Sequence, residues 1–74
     1  MRLSAMETMG ARAMAHDVNR RIIEGDEALP HFARMSQNIA AVAALLRGLP
    51  GATMPDERRA HHKICTLLEH AAVQ

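Results

Sequence analysis

The sequence has no tryptophan or tyrosine and a single phenylalanine among its 74 residues. Its interior must therefore be built from Leu, Ile, Val, Met and many Ala, and alanine removes little apolar surface from water. A chain of this length buries only about 60% of the surface that its unfolded form exposes. We expect a single domain over residues 1–74 with a thin core, which self-association would reinforce.

Disulfides, strong net charge and long apolar runs are also lacking. A single cysteine excludes an intramolecular disulfide, so nothing indicates a cross-linked secreted domain. The 9 basic and 8 acidic residues leave a net charge of +1 without aromatic platforms, which disfavours nucleic acid as a partner. No stretch reaches the roughly 20 apolar residues of a membrane span, and the N-terminus has no signal-peptide run. We expect a soluble, cytoplasmic protein without a membrane partner, or a periplasmic one if this is a processed or truncated cytochrome-like chain.

What the sequence contains is helix-forming residues at helical spacing, and no strand pattern. It predicts an all-α protein with helices at about residues 3–24, 27–47 and 54–72. The first segment lacks proline, and its Asp17 and Arg21 stand four residues apart in the order that stabilises a helix. The predicted apolar stripe of this helix is Ala11, Met14, Val18 and Ile22.

The middle helix has the most regular pattern, since five apolar residues recur at spacings of 3, 4, 3 and 4 and form one predicted seam. They are Phe32, Met35, Ile39, Val42 and Leu46. We expect Asp26 to cap the start of this helix by accepting a backbone N–H, Pro30 to lie in its first turn, and Gly48 to end it in the left-handed conformation. The first two helices are predicted to form an antiparallel hairpin that dimerises through the seam. The third helix then completes either a three-helix bundle or a partner's bundle.

The third helix carries the stretch HHKICTLLEH, which holds three of the five histidines and the cysteine. His61, Cys65 and Glu69 lie four residues apart on one helical ridge, and His62 is three residues from Cys65. Imidazole and thiolate at this spacing can hold Zn²⁺ or Cu⁺. A structural zinc site needs four ligands, however, and no second cysteine or paired-histidine motif occurs. We therefore favour the alternative that Cys65 is a small buried apolar residue and the histidines are solvated. The predicted core stripe of this helix is Ala60, Ile64, Leu67 and Ala71, with Leu68 beside it.

A second motif is AHDVN, from residue 15. It resembles the phospho-acceptor box of sensor histidine kinases, in which a histidine followed by an acidic residue and then asparagine sits on a bundle helix. The resemblance implies that His16 would carry a phosphate and that Asp17 would orient it. It covers five residues, so we favour the simpler interpretation of a partly exposed histidine between Arg12 and Arg20.

A longer resemblance covers the first two predicted helices and the loop after them. The segments RLSAMETMG and HFARMSQNIAAVAALLRGLPGAT, joined through Gly25, are similar to the first two helices of the cytochrome c-prime family. The resemblance implies a bundle whose hairpin packs on haem and forms the dimer interface, with Arg2, Met6 and Met9 facing the haem. The CxxCH motif through which that family attaches haem is absent, because KICTLLEH keeps one cysteine and places its histidine one residue too late.

No serine–histidine–acid set, pair of buried carboxylates, glycine-rich phosphate loop or metalloprotease motif occurs, so we do not expect an enzyme. The sequence favours a small non-catalytic α-helical binding module that forms a homo-oligomer or binds a helical partner, without a cofactor. The first alternative is a bundle that binds haem, Zn or Cu, resembles cytochrome c-prime and serves electron transfer or small-ligand binding. The second is a histidine-phosphotransfer fragment.

Overall fold

Helices account for most of the part of the chain that the structure, a computed structural model, describes. That part is residues 4–49 and 54–73, without the side chain of Glu7. The helices are α1 (Ala5–Glu24), α2 (Leu29–Arg34), α3 (Ile39–Arg47) and α4 (Pro55–Ala72). The described residues contain no strand, so the predicted all-α class is confirmed. None of these four helices is both long and apolar enough to cross a membrane.

Ion pairs along one side stabilise α1. Arg20 bonds both Asp17 and Glu24, and Arg21 Nε lies 3.5 Å from Asp17 Oδ1, which confirms the predicted pair. The helix ends at Gly25, whose φ of +72° is a left-handed conformation that residues with a side chain rarely adopt. The buried face of α1 is Ala11, Ala15, Val18 and Ile22, with Met14 half-buried against the core.

Asp26 organises the connection from α1 to α2. Its carboxylate accepts the backbone N–H of Ala28 at 2.9 Å. The predicted cap by Asp26 is nevertheless wrong, because Ala28 is itself the N-cap residue of α2 and α2 has no side-chain cap hydrogen bond. The other carboxylate oxygen accepts a hydrogen bond from Arg21 Nη1 at 2.8 Å. The Arg21 guanidinium also lies 4.0 Å from the centroid of the Phe32 ring, which is the geometry of a cation–π contact. Arg21 therefore links α1 to the connection and to α2, in whose first turn Pro30 lies as predicted.

The prediction of a single helix over residues 27–47 is wrong, because residues 35–38 divide it into α2 and α3. The sequence there is MSQN, and Ser and Asn side chains compete with the helix for backbone hydrogen bonds. Ser36 is buried, and its Oγ donates to the Ala33 carbonyl at 2.7 Å, at the end of α2. Asn38 has φ 56° and ψ 50°, a left-handed conformation that asparagine tolerates better than most residues. Ser36 thus donates a hydrogen bond to a carbonyl at the end of α2, and Asn38 adopts the left-handed turn from which α3 begins.

The break also divides the predicted seam. Val42 and Leu46 are fully buried, Phe32 and Ile39 are half-buried, and Met35, within the break, is 71% exposed. The five residues do not form one continuous stripe, since they belong to separate helices.

The core draws residues from all four helices around α3, which packs against both α1 and α4. Of the twelve buried apolar residues in the described ranges, four are alanine. On α4, Ile64, Cys65 and Leu68 are buried, whereas Ala60, Leu67 and Ala71 of the predicted stripe are half-buried. The buried face of α4 is therefore rotated toward the cysteine. Gly48, at the end of α3, has φ −83°, so the predicted left-handed cap is wrong there.

Candidate functional site

The segment of α4 that carries the histidines and the cysteine faces the C-terminal end of α3. Arg47, in the last turn of α3, donates through Nη2 to Glu69 Oε1 at 2.6 Å and through Nε to Oε2 at 3.2 Å. Nη1 of the same guanidinium donates to His62 Nδ1 at 3.2 Å. We call these three residues, together with His61 and Cys65, the α3–α4 clasp.

His61 adds a second link between the two helices. Its Nε2 donates to the carbonyl oxygen of Leu46 at 2.8 Å, and its Nδ1 lies 3.9 Å from Cys65 Sγ. Because Nε2 carries the proton in the first contact, Nδ1 of the neutral ring is left as an acceptor that faces the thiol. Cys65 has no exposed surface. The thiol is an interior group beside an imidazole and not an accessible nucleophile.

Hydrogen bonding and burial shift the pKa values of three clasp residues, Arg47, Glu69 and Cys65. The hydrogen bond from Arg47 holds the pKa of Glu69 below its usual range, and the same bond raises the pKa of Arg47. Burial raises the pKa of the Cys65 thiol above its ordinary value, against the opposing effect of the Arg47 charge. Cys65 therefore stays protonated at neutral pH, whereas metal ions and electrophiles react with the thiolate.

The structure brings together the four residues predicted to bind a metal, His61, His62, Cys65 and Glu69, but gives their donor atoms other partners. Both Glu69 oxygens and His62 Nδ1 accept from Arg47, whose positive charge would repel a cation at this position. In the described ranges, no group of three or more His, Cys, Asp or Glu side chains is placed to hold a metal ion. The arrangement is that of a structural link between two helices.

Two of the three residues that the cytochrome c-prime resemblance places against a haem, Met6 and Met9, lie on an exposed side of α1. Met6 is 82% exposed and Met9 is 71% exposed, while Arg2 lies outside the described residues. With most of their surface exposed to solvent, the two methionines do not form the walls of an enclosed site, as a haem pocket requires.

His16, a possible phospho-acceptor only by its resemblance to the histidine-kinase box, is exposed on α1. The carboxylate of Asp17 bonds Arg20 and pairs with Arg21. Neighbouring positions of a helix point in different directions, so Asp17 is not placed to orient the imidazole of His16. The arrangement is that of a solvent-exposed histidine next to a network of ion pairs.

Sequence reasoning missed an open groove along α3, about 770 Å³ in volume, which we call the α3 groove. Its walls come from Thr8 of α1, the break before α3, α3 itself and the end of α4. No charged side chain occurs among the described residues that line it. The α3 residues in the groove are Ile39, Ala40, Ala41, Ala44 and Leu45. In the sequence, Ala40 and Ala44 are only a weak signal of this groove, because alanine at these positions is equally compatible with a helix that is buried on all sides.

The chain was compared with protein-family models, curated proteins and solved structures, and none of the three comparisons found a match. The resemblance to cytochrome c-prime therefore stays a prediction. The function has to be argued from the geometry of the chain itself.

Proposed function

We propose that this chain is a small non-catalytic α-helical interaction module that acts by associating with a second copy of itself. The surface along α3 carries the proposal. The described residues that line the α3 groove carry no charge, and Ala40 and Ala44 of α3 are exposed in it. A helix that is apolar at every position before its last residue, as α3 is, is normally covered on all sides.

The composition of the core also favours association. Of the twelve buried apolar residues in the described ranges, four are alanine, which removes little apolar surface from water. The core is therefore poor in large side chains. A second copy laid on one face would bury apolar surface worth about 25 cal/mol per Å².

The chemistry of the candidate sites supports a binding role. Arg47 and Glu69 bond each other, His61 bonds the Leu46 carbonyl, and Cys65 is buried with the pKa of its thiol raised. His16 is exposed, with the adjacent Asp17 paired to arginines. The described residues that line the α3 groove are uncharged. A shallow apolar groove is suited to contact with another protein surface.

Analytical ultracentrifugation of the full chain from low to high micromolar concentration tests the proposal. We expect the mass to rise with concentration from 8.1 kDa for the monomer toward twice that value. The melting temperature should rise with concentration over the same range, because association stabilises the folded state. A mass of 8.1 kDa at every concentration would refute self-association.

A further inference from the structure

We infer that the α3 groove is the centre of the dimer interface and that the α3 helix of a second copy of this chain occupies it, related by a two-fold axis. This inference rests on the proposed self-association. It identifies the surface through which the two copies associate and the helix that this surface contacts.

The first argument is the composition of α3. Its sequence, IAAVAALLR, is apolar at every position before Arg47. Val42 and Leu46 face the core, yet Ala40 and Ala44 are exposed. A helix that is apolar on all sides is normally covered on all sides. The rest of the chain covers only part of α3, and the α3 groove runs along the uncovered part.

The second argument is shape. Ala40 and Ala44 are one turn apart, so a second helix can approach α3 closely there, toward the short end of the usual 8–10 Å between packed helices. Ile39 and Leu45 are half-buried branched side chains in the same groove, with apolar surface still to bury. The groove thus offers room for a helix and larger side chains for it to contact.

The third argument is charge, and it favours a second copy over a different partner. A two-fold interface brings a residue near the axis close to its own copy, so a charge there would repel itself. The described residues that line the α3 groove carry no charge, although 23% of the whole chain is charged.

Charged variants on α3 provide the test. Each of two double variants, A40E/A44E and A40K/A44K, should weaken self-association by at least about 100-fold, because both place like charges across the axis. A mixture of the two should associate again, because opposite charges then face each other. Both positions are exposed, so the fold should tolerate the changes. Glutamate at residue 40 should favour α3, whose first turn has neither an acidic residue nor a side-chain cap.

Met9→Glu is the matched control, since Met9 is an apolar residue of α1 that is 71% exposed and is not among the residues that line the groove. It should leave the dissociation constant unchanged. Circular dichroism should show that every variant remains helical, and the single variant Ala44→Glu replaces any double variant that fails to fold.

The outcomes separate the two proposals. A wild-type chain that stays monomeric at high micromolar concentration removes the proposed function and this inference with it. A wild-type dimer that survives A40E/A44E, or that Met9→Glu dissociates, overturns the inference and leaves self-association in place. Dissociation by each double variant alone, with recovery on mixing, supports both.

Discussion

Replacing Gly10 by alanine should stabilise the protein. Gly10 lies inside α1 and is exposed, and a Cβ atom placed there meets no other atom within 4 Å. Glycine is about 0.8–1 kcal/mol less favourable than alanine in an exposed helix interior, because its backbone loses more freedom on folding. Because no steric clash offsets this difference, we expect the free energy of unfolding to rise by the full amount. A change of about 1 kcal/mol corresponds to a rise of about 4–8 °C in the melting temperature of a domain this small.

The same substitution at Gly25 is the matched control. A Cβ atom at residue 25 also meets nothing within 4 Å, so alanine causes no steric clash at either glycine position. The backbone differs, because the φ of Gly25 is +72° and alanine is less stable there by about 1–2 kcal/mol. Gly25→Ala should therefore lower the melting temperature.

Urea unfolding followed by circular dichroism measures both variants, at one protein concentration because association affects stability. No gain from Gly10→Ala would mean that residue 10 has a contact or a conformation other than that of a free helix position. No loss from Gly25→Ala would refute the left-handed turn between α1 and α2.

Three further predictions concern α3 and the α3–α4 clasp. Leu46→Ala should lower the free energy of unfolding by about 2–5 kcal/mol in urea, because Leu46 is fully buried; a loss below 1 kcal/mol would contradict its place in the core. Because Arg47 holds the pKa of Glu69 down, this contact stabilises the fold above the usual carboxyl pKa and is lost as the pH falls through the lowered pKa. Glu69→Gln should therefore flatten the acid-side fall in melting temperature, and an unchanged slope would show that the pair is absent in solution. The Cys65 thiol should react with a disulfide reagent at least about 100-fold more slowly in the folded than in the denatured chain. Cys65→Ala should cost only about 1 kcal/mol without altering assembly or the response to chelators. A zinc-dependent rise in melting temperature that this variant abolishes would instead support the metal hypothesis.

The spacing of apolar residues predicts a helix well where nothing interrupts it. The observed helices α1 (Ala5–Glu24) and α4 (Pro55–Ala72) begin and end close to the predicted bounds of 3–24 and 54–72. Both segments consist largely of residues with good helix propensity and have no proline beyond the first turn. In these two segments, the helix propensity of the residues and the spacing of the apolar positions both favour a helix, and the folded chain has a helix there.

The break before α3 shows where such spacing fails. The apolar period runs through Met35 without interruption, but periodicity reports which positions are apolar and not whether the backbone continues. The outcome depended on Ser36 and Asn38, whose helix propensities are only about 0.5 kcal/mol below that of alanine. Burial of Ser36, with its hydroxyl bonded to Ala33, is a tertiary effect that local sequence does not contain.

The same reason limits what could be known of the clasp. Spacing correctly placed His61, Cys65 and Glu69 on neighbouring turns of one helix. It could not show that Arg47, from another helix, would bond the carboxylate and an imidazole. The partner of a side chain depends on how helices pack. A ligand set derived from one helix is therefore incomplete until its neighbours are known.

The break and the clasp together explain how α3 can present an uncovered face. Nine residues make a helix that is marginal alone, so α3 depends on the contacts at its ends and along its inner side. The turn at Asn38 fixes where α3 begins, Arg47 fixes where it meets α4, and Val42 anchors the face between them. The outward positions Ala40 and Ala44 are held in place by these contacts and have little side-chain freedom to lose. A surface that is already ordered gives up less entropy on association, which favours binding through this face.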